Sequence, residues 1–265
     1  MLFIRHYLLA LQFFTRIPVT GRLASWIGFS PAMLRASAAH FPGVGWLIGA
    51  AVALFSAALC EVLPETALTP LAVAALGTVL GVLLTGAFHE DGLADVADGL
   101  GGSSERTRSL EIMKDSRVGA FGALALVLVL LTKVSLLSVI GAFDGTVMFW
   151  GLFAAHVCSR GFPLLLIGLL PHVGDAAGSK SKPLADQISG ASLLVAGLWV
   201  GLALVLMVLA GQGGAIAVPL ASATLAWLWM WRWFARRLQG FTGDCLGATQ
   251  QVCEVAWYLG LALCL

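Results

Sequence analysis

The chain has 265 residues, 59% of them apolar and only 11% charged, with a mean hydropathy of +0.94 and a formal net charge of +1. No soluble core absorbs that much apolar surface, so a soluble globular domain is excluded and a membrane-embedded chain is implied. The expected partners are a lipid bilayer and small substrates, with no nucleic acid.

Leu2 to Phe14 is apolar but ends at Arg16 with no small-residue cleavage site behind it, so it reads as an interfacial helix and not as a signal peptide. Apolar runs then fall at about 42–60, 70–87, 119–140, 146–170, 190–210 and 216–234. Each covers a hydrocarbon layer of ~30 Å. A seventh run, Val255 to Leu265, is short for a crossing. The predicted fold is therefore an all-α polytopic membrane helical bundle of six or seven transmembrane helices plus an N-terminal interfacial helix. It forms one integral membrane domain over 1–265, with a catalytic segment at about 88–118 and a second polar loop at about 235–254. The cysteines Cys60, Cys158, Cys245, Cys253 and Cys264 are odd in number and lack C-x-x-C spacing, so they read as apolar filler.

Basic residues orient the chain. The segments 1–41, 88–118, 171–189 and 235–251 carry Arg5, Arg16, Arg22, Arg35, Arg106, Arg108, Lys114, Arg117, Lys180, Lys182, Arg236 and Arg237. The alternate loops 61–69, 141–145 and 211–215 carry none. Short loops rich in Lys and Arg stay in the cytoplasm, so the polar segments are expected on the cytoplasmic face.

Seven of the fourteen carboxylates lie in one 28-residue stretch, HEDGLADVADGLGGSSERTRSLEIMKDS. Asp91, Asp95 and Asp98 stand at i, i+4 and i+7, which places them on one face of a helix. Three neighbouring carboxylates repel one another unless a cation sits between them, and hard oxygen donors suit Mg²⁺, Mn²⁺ or Ca²⁺. The bland alternative is a solvated acidic helix face. Against it, Gly99, Gly101 and Gly102 weaken a surface helix and let a phosphate approach the backbone. Lys114 and Arg117, flanking Asp115, are the better candidates for a phosphate-binding role, whereas Arg106 and Arg108 also satisfy the positive-inside bias.

The polar island GFTGDCLGATQQVCE adds Asp244 and Glu254 as further carboxylates for metal or substrate, with ion pairing as the other reading for Glu254. His89 is a candidate for proton transfer or substrate contact, set against a structural hydrogen bond. Arg160, one turn after His156, either extends the anion site or snorkels. Trp227, Trp229, Trp231 and Trp233 read as an interfacial belt.

With FFTRIPV, FPGVGWLIGA, HEDGLADVADGLGG, LEIMKDSRVGAFG and GDCLGA followed by Glu254, the chain from Phe13 onward resembles the adenosylcobinamide-GDP ribazoletransferase (cobalamin synthase) family. It departs from the family pattern at Glu90, usually apolar, and at Gln250 and Gln251, where an acidic residue is common. The resemblance implies Mg²⁺-dependent attack of α-ribazole or its 5′-phosphate on adenosylcobinamide-GDP, with GMP leaving. Two other classes fit less well. A CDP-alcohol phosphatidyltransferase continues its motif as D-G-x-x-A-R, where this chain has Asp95 and Val96. A secondary transporter concentrates ionisable groups at the bilayer midplane, where only Lys133 and Arg160 are expected.

Overall fold

A computed structural model describes residues 1–174 and 187–265; Lys180 and Lys182 lie outside them. The described residues form an all-α bundle: α1 (Leu2–Phe14), α2 (Gly21–Ile27), α3 (Pro31–Ser37), α4 (Phe41–Val62), α5 (Thr69–Thr85), α6 (Phe88–Gly102), α7 (Arg106–Met113), α8 (Ala120–Phe143), α9 (Gly145–Cys158), α10 (Phe162–Leu169), α11 (Gly190–Leu209), α12 (Ala217–Arg237) and α13 (Gly243–Ala262). Five stretches, Pro31–Val62, Ala120–Phe143, Gly145–Leu169, Gly190–Leu209 and Gly213–Arg237, are long and apolar enough to cross a membrane. The pair α5 and α6 passes the same test only when taken together. The chain is thus a multi-pass membrane protein.

Burial sorts these helices. The α9–α10 span is 78% buried, whereas α8, α11 and α12 are each 17% buried and turn their leucines and valines outward. The first is the central post and the others face lipid. Helix α4 closes on α9 because Gly45 and Gly49 lie against the backbone of His156 and Phe153, where any Cβ would collide. The central span is broken at Ser159–Gly161, and Pro163 starts α10 within its first turn, where its missing N–H is no loss. That break was not expected from the apolar run.

Two further expectations are corrected. The polar stretch 235–254 is not a loop: α12 runs to Arg237, only residues 238–242 connect, and α13 begins at Gly243. The final helix therefore has 20 residues and not the short run beginning at Val255. Its polar residues Thr249, Gln250, Gln251 and Glu254 are all buried, and a helix hides such groups only where neighbouring elements satisfy them.

Candidate active site

The site begins where α5 stops. Gly86 and Ala87 both adopt left-handed backbone, φ 67 and 58, while the Ala87 N–H bonds the Val82 carbonyl at 3.0 Å and the Gly86 N–H bonds that of Leu83 at 3.3 Å. This closes the helix in a Schellman-like turn. Glycine carries no Cβ penalty there, whereas Ala87 does. The Arg16 N–H takes another terminal carbonyl, that of Leu84, at 2.8 Å. Helix α6 leaves at 91° to α5, out of the spanning direction.

Helix α6 then crosses α13 at glycines. A Cβ on Gly92 would sit 2.8 Å from the Asp244 carbonyl oxygen, and one on Gly247 would sit 3.3 Å from the His89 backbone. This close crossing sets Asp244, in the first turn of α13, beside the acidic row of α6. Thr242 caps α13, and its hydroxyl donates to Asp244 Oδ2 at 3.1 Å. Asp91 is exposed, Asp95 half-buried and Asp98 buried. Burial, followed by the charges of Asp244, Asp91 and Asp98, pushes Asp95 up to about 7. Asp244 is raised as well, by burial first and with a contribution from Asp91. Asp95 and Asp244 therefore feel neighbouring carboxylates across the crossing.

Asp98 has a second task. Its Oδ2 accepts the Gly119 N–H at 2.7 Å and its Oδ1 accepts that of Gly122 at 2.8 Å, so it caps α8 from another helix. The same contact pins the loop between α7 and α8, which carries Lys114 at the end of α7 and the exposed Arg117. Asp115 receives the Arg117 guanidinium at 2.5 Å, and this partner lowers the Asp115 carboxyl to about 2. Asp115 therefore orients Arg117. Arg106 and Arg237 tie the two edges of the site together, donating to the Leu238 and Ser103 carbonyls at 2.6 Å each.

Several expected residues lie elsewhere. Gly99 is filled by Met113 and the Ser109 carbonyl and Gly101 abuts the Phe121 ring, so these serve helix packing; Gly102 is exposed. Glu254 does not join the carboxylate row, and the ion-pairing reading is the one the structure shows. It is the twelfth of the 20 residues of α13, ion-paired to Lys133 at 2.6 Å, with Gln250 Nε2 at 2.7 Å and the Tyr258 hydroxyl at 3.1 Å donating to it. Arg160 is 1% exposed, donates to the His156 carbonyl at 2.7 Å and lies 5.7 Å from the Phe41 ring centre. Neither joins the carboxylates of the crossing. Glu90 gains a partner that sequence reasoning missed: Gln251 Nε2 donates to its Oε1 at 3.0 Å. His89 is buried and stacked on Phe41.

A family model described as Cobalamin-5-phosphate synthase matches residues 6–262. The chain belongs to the cobalamin-5-phosphate synthase family. Curated relatives agree with the family model along the full length. The adenosylcobinamide-GDP ribazoletransferase of Albidiferax ferrireducens is 67% identical, covering 98% of each chain. That of Polaromonas naphthalenivorans is 60% identical over 99% of each, and that of Vibrio cholerae 42% identical over 96% of this chain and 91% of the relative. No solved structure matches.

For a member of this family the question is whether the crossing suits a divalent cation. Among the described residues no three His, Cys, Asp or Glu side chains converge closely enough to hold an ion unaided. Mg²⁺ does not require such a cage, since one or two carboxylates, water and substrate phosphates complete its shell. The donors fit in charge and hardness: Asp95 is raised by burial first and then by the neighbouring Asp244, Asp91 and Asp98 charges, and a cation would favour its charged form against both. Asp91, Asp95 and Asp244 are the residues that would hold it, with the remaining lone pairs of Asp98.

Proposed function

We propose that the chain transfers adenosylcobinamide phosphate from adenosylcobinamide-GDP to α-ribazole or its 5′-phosphate, releasing GMP and forming adenosylcobalamin or its 5′-phosphate. The relatives' shared name, ribazoletransferase, supports the substrates. The observation that carries the chemistry is the crossing of α6 and α13, where Asp244 faces the row that holds Asp91 and Asp95, while Asp98 of the same row fixes the end of the loop bearing Lys114 and Arg117. Phosphoryl transfer needs both kinds of charge at one edge.

In this reading Asp91, Asp95 and Asp244 hold Mg²⁺, which when bound supplies positive charge to the pyrophosphate. Arg117, aimed by Asp115, and Lys114 stabilise charge on the departing GMP. Asp98 keeps that loop against α6 through Gly119 and Gly122. Of the two proton acceptors considered, His89 is enclosed by Phe41 and Phe88, so a carboxylate of the crossing takes the ribazole proton. The distribution of Lys and Arg supports a cytoplasmic face for this edge, and membership of the family supports the cytoplasmic (inner) membrane.

The test is an assay of detergent-purified protein with adenosylcobinamide-GDP, α-ribazole and Mg²⁺, following GMP and the corrinoid product by chromatography. Equimolar GMP and adenosylcobalamin, dependent on all three additions, are expected. Folded protein that yields neither product would sink the reading.

A further inference from the structure

Glu90 belongs to the helix that carries the acidic row, yet the chemistry proposed above leaves it without a role. It directly precedes Asp91 in the first turn of α6, and the two carboxylates part there: Asp91 is exposed, whereas Glu90 is 7% exposed. Burying a carboxylate is costly unless a donor meets it. The donor is Gln251 Nε2 of α13, 3.0 Å from Glu90 Oε1, while Glu90 Oε2 has no hydrogen-bond partner. Gln251 is itself held. Its Nε2 also donates to Gln250 Oε1 at 3.0 Å, and Gln250 Nε2 donates to Ser159 at 2.9 Å and to Glu254, the partner of Lys133, at 2.7 Å. A line of bonds therefore runs from α8 and the break in the central span to the residue before Asp91.

What that line fixes follows from the other contacts at the crossing. Gly92 and Gly247 let α6 and α13 approach closely, but a glycine has no side chain to stop one helix turning on the other. Phe88 and His89 pack on Phe13 and Phe41, which ties this end of α6 to α1 and α4 and not to α13. Asp98 and the Leu100 carbonyl hold the far end of α6 to α8 and to Arg237 of α12. Among the described residues, the bond of Glu90 to Gln251 is the one side-chain hydrogen bond between α6 and α13. A helical side chain reaches about 5–6 Å from the axis, so a turn of α6 by about 20° would carry Asp91 about 2 Å. In a reaction that depends on positioning, a misplacement of about 1 Å can cost about a hundredfold in rate.

We infer that Glu90 is a positioning residue: its bond to Gln251 fixes the rotation of α6 against α13, and with it the placing of Asp91 and Asp95 opposite Asp244. The assignment rests on the transfer reading above. It adds to that reading a residue that touches neither substrate and acts through the carboxylates beside it.

The experiment measures kcat and KM per folded protein in detergent, with thermal melting in parallel. Glu90→Gln keeps the accepting oxygen and should stay close to wild type. Glu90→Leu removes it, so kcat should fall about ten- to a hundredfold with KM for both substrates unchanged. Gln251→Glu sets two carboxylates against each other and should fall similarly, and adding Glu90→Gln to it should restore most of the loss. That rescue decides the matter even where Glu90→Leu does not fold. Folded Glu90→Leu with wild-type kcat, however far its melting point drops, would overturn the assignment and leave the bond a purely structural one. A rise in KM for one substrate would overturn it in favour of a substrate contact, and a reciprocal pair no better than Gln251→Glu alone would overturn it too. The transfer reading stands in each of these cases, since the wild type is active; folded wild type that releases no GMP fails both.

Discussion

Lys133 of α8 and Glu254 of α13 form a 2.6 Å ion pair in the interior of the bundle, with side chains 4% and 1% exposed. Glu254 also receives Gln250 and Tyr258, and Gln250 reaches Ser159 at 2.9 Å, so α8, α13 and the break after α9 share one polar knot. Removing one partner of such a pair leaves an uncompensated charge, at a cost of about 3–5 kcal/mol, whereas replacing both with apolar groups is often neutral. Lys133→Met and Glu254→Leu should each lower the thermal midpoint in detergent markedly, and the double variant should recover most of the loss. A double variant no better than the worse single one would refute the pairing account.

The acidic row divides by role. Asp91→Asn, Asp95→Asn and Asp244→Asn keep shape and remove charge, so turnover should fall by orders of magnitude with folded protein still accumulating. Asp98→Asn should differ. Its two oxygens cap α8, and an amide supplies only one acceptor atom, so this variant should also lose about 1 kcal/mol of stability. Parallel turnover and melting measurements separate the two classes. Near-normal Mg²⁺-dependent turnover in the triple variant of Asp91, Asp95 and Asp244 would remove the metal assignment.

The loop cations offer a graded series. Arg117→Met deletes the guanidinium, whereas Asp115→Asn only weakens its anchor. The rate of the chemical step should fall more for the first than the second, with acceptor KM little changed in either, because charge on the leaving oxygen develops only as the bond breaks. Single-turnover kinetics give the comparison. A larger effect from Asp115→Asn would assign the catalytic contact to Asp115 itself.

These expectations show where the sequence was legible and where it was not. Apolar runs identified the spans because hydrocarbon thickness sets their length, and the spacing of Asp91, Asp95 and Asp98 was readable because helical geometry alone puts them on one face. Glu254 was misplaced for a physical reason. Hydropathy sees Gln250, Gln251 and Glu254 as a polar loop, since their partners Lys133, Ser159 and Glu90 come from distant parts of the chain. Gly99 misled similarly: a glycine kept for Met113 looks the same in sequence as one kept for a phosphate.

Topology is open to a direct probe. Ser104, between α6 and α7, and Thr66, between α4 and α5, are both exposed. In a background without native cysteines, Ser104→Cys should resist an impermeant thiol reagent in intact cells and Thr66→Cys should react, because Lys and Arg cluster on the side of Ser104. Labelling of Ser104→Cys from outside would invert the orientation.

The stereochemical course tests the mechanism as a whole. Among the described residues no serine, cysteine or histidine at the crossing is paired with a base as an activated nucleophile: Cys245 is fully buried with its thiol pushed up to about 12, and His89 is walled by aromatic rings. With the carboxylates of the crossing assigned to the cation, the expected course is direct attack of the acceptor on phosphorus. One in-line displacement inverts configuration, so a donor made chiral by sulfur at the transferred phosphate should give inverted product. The same scheme forbids a stoichiometric burst of GMP when α-ribazole is left out. Retention of configuration, or such a burst, would mean two displacements and would assign the nucleophile to a carboxylate of the crossing.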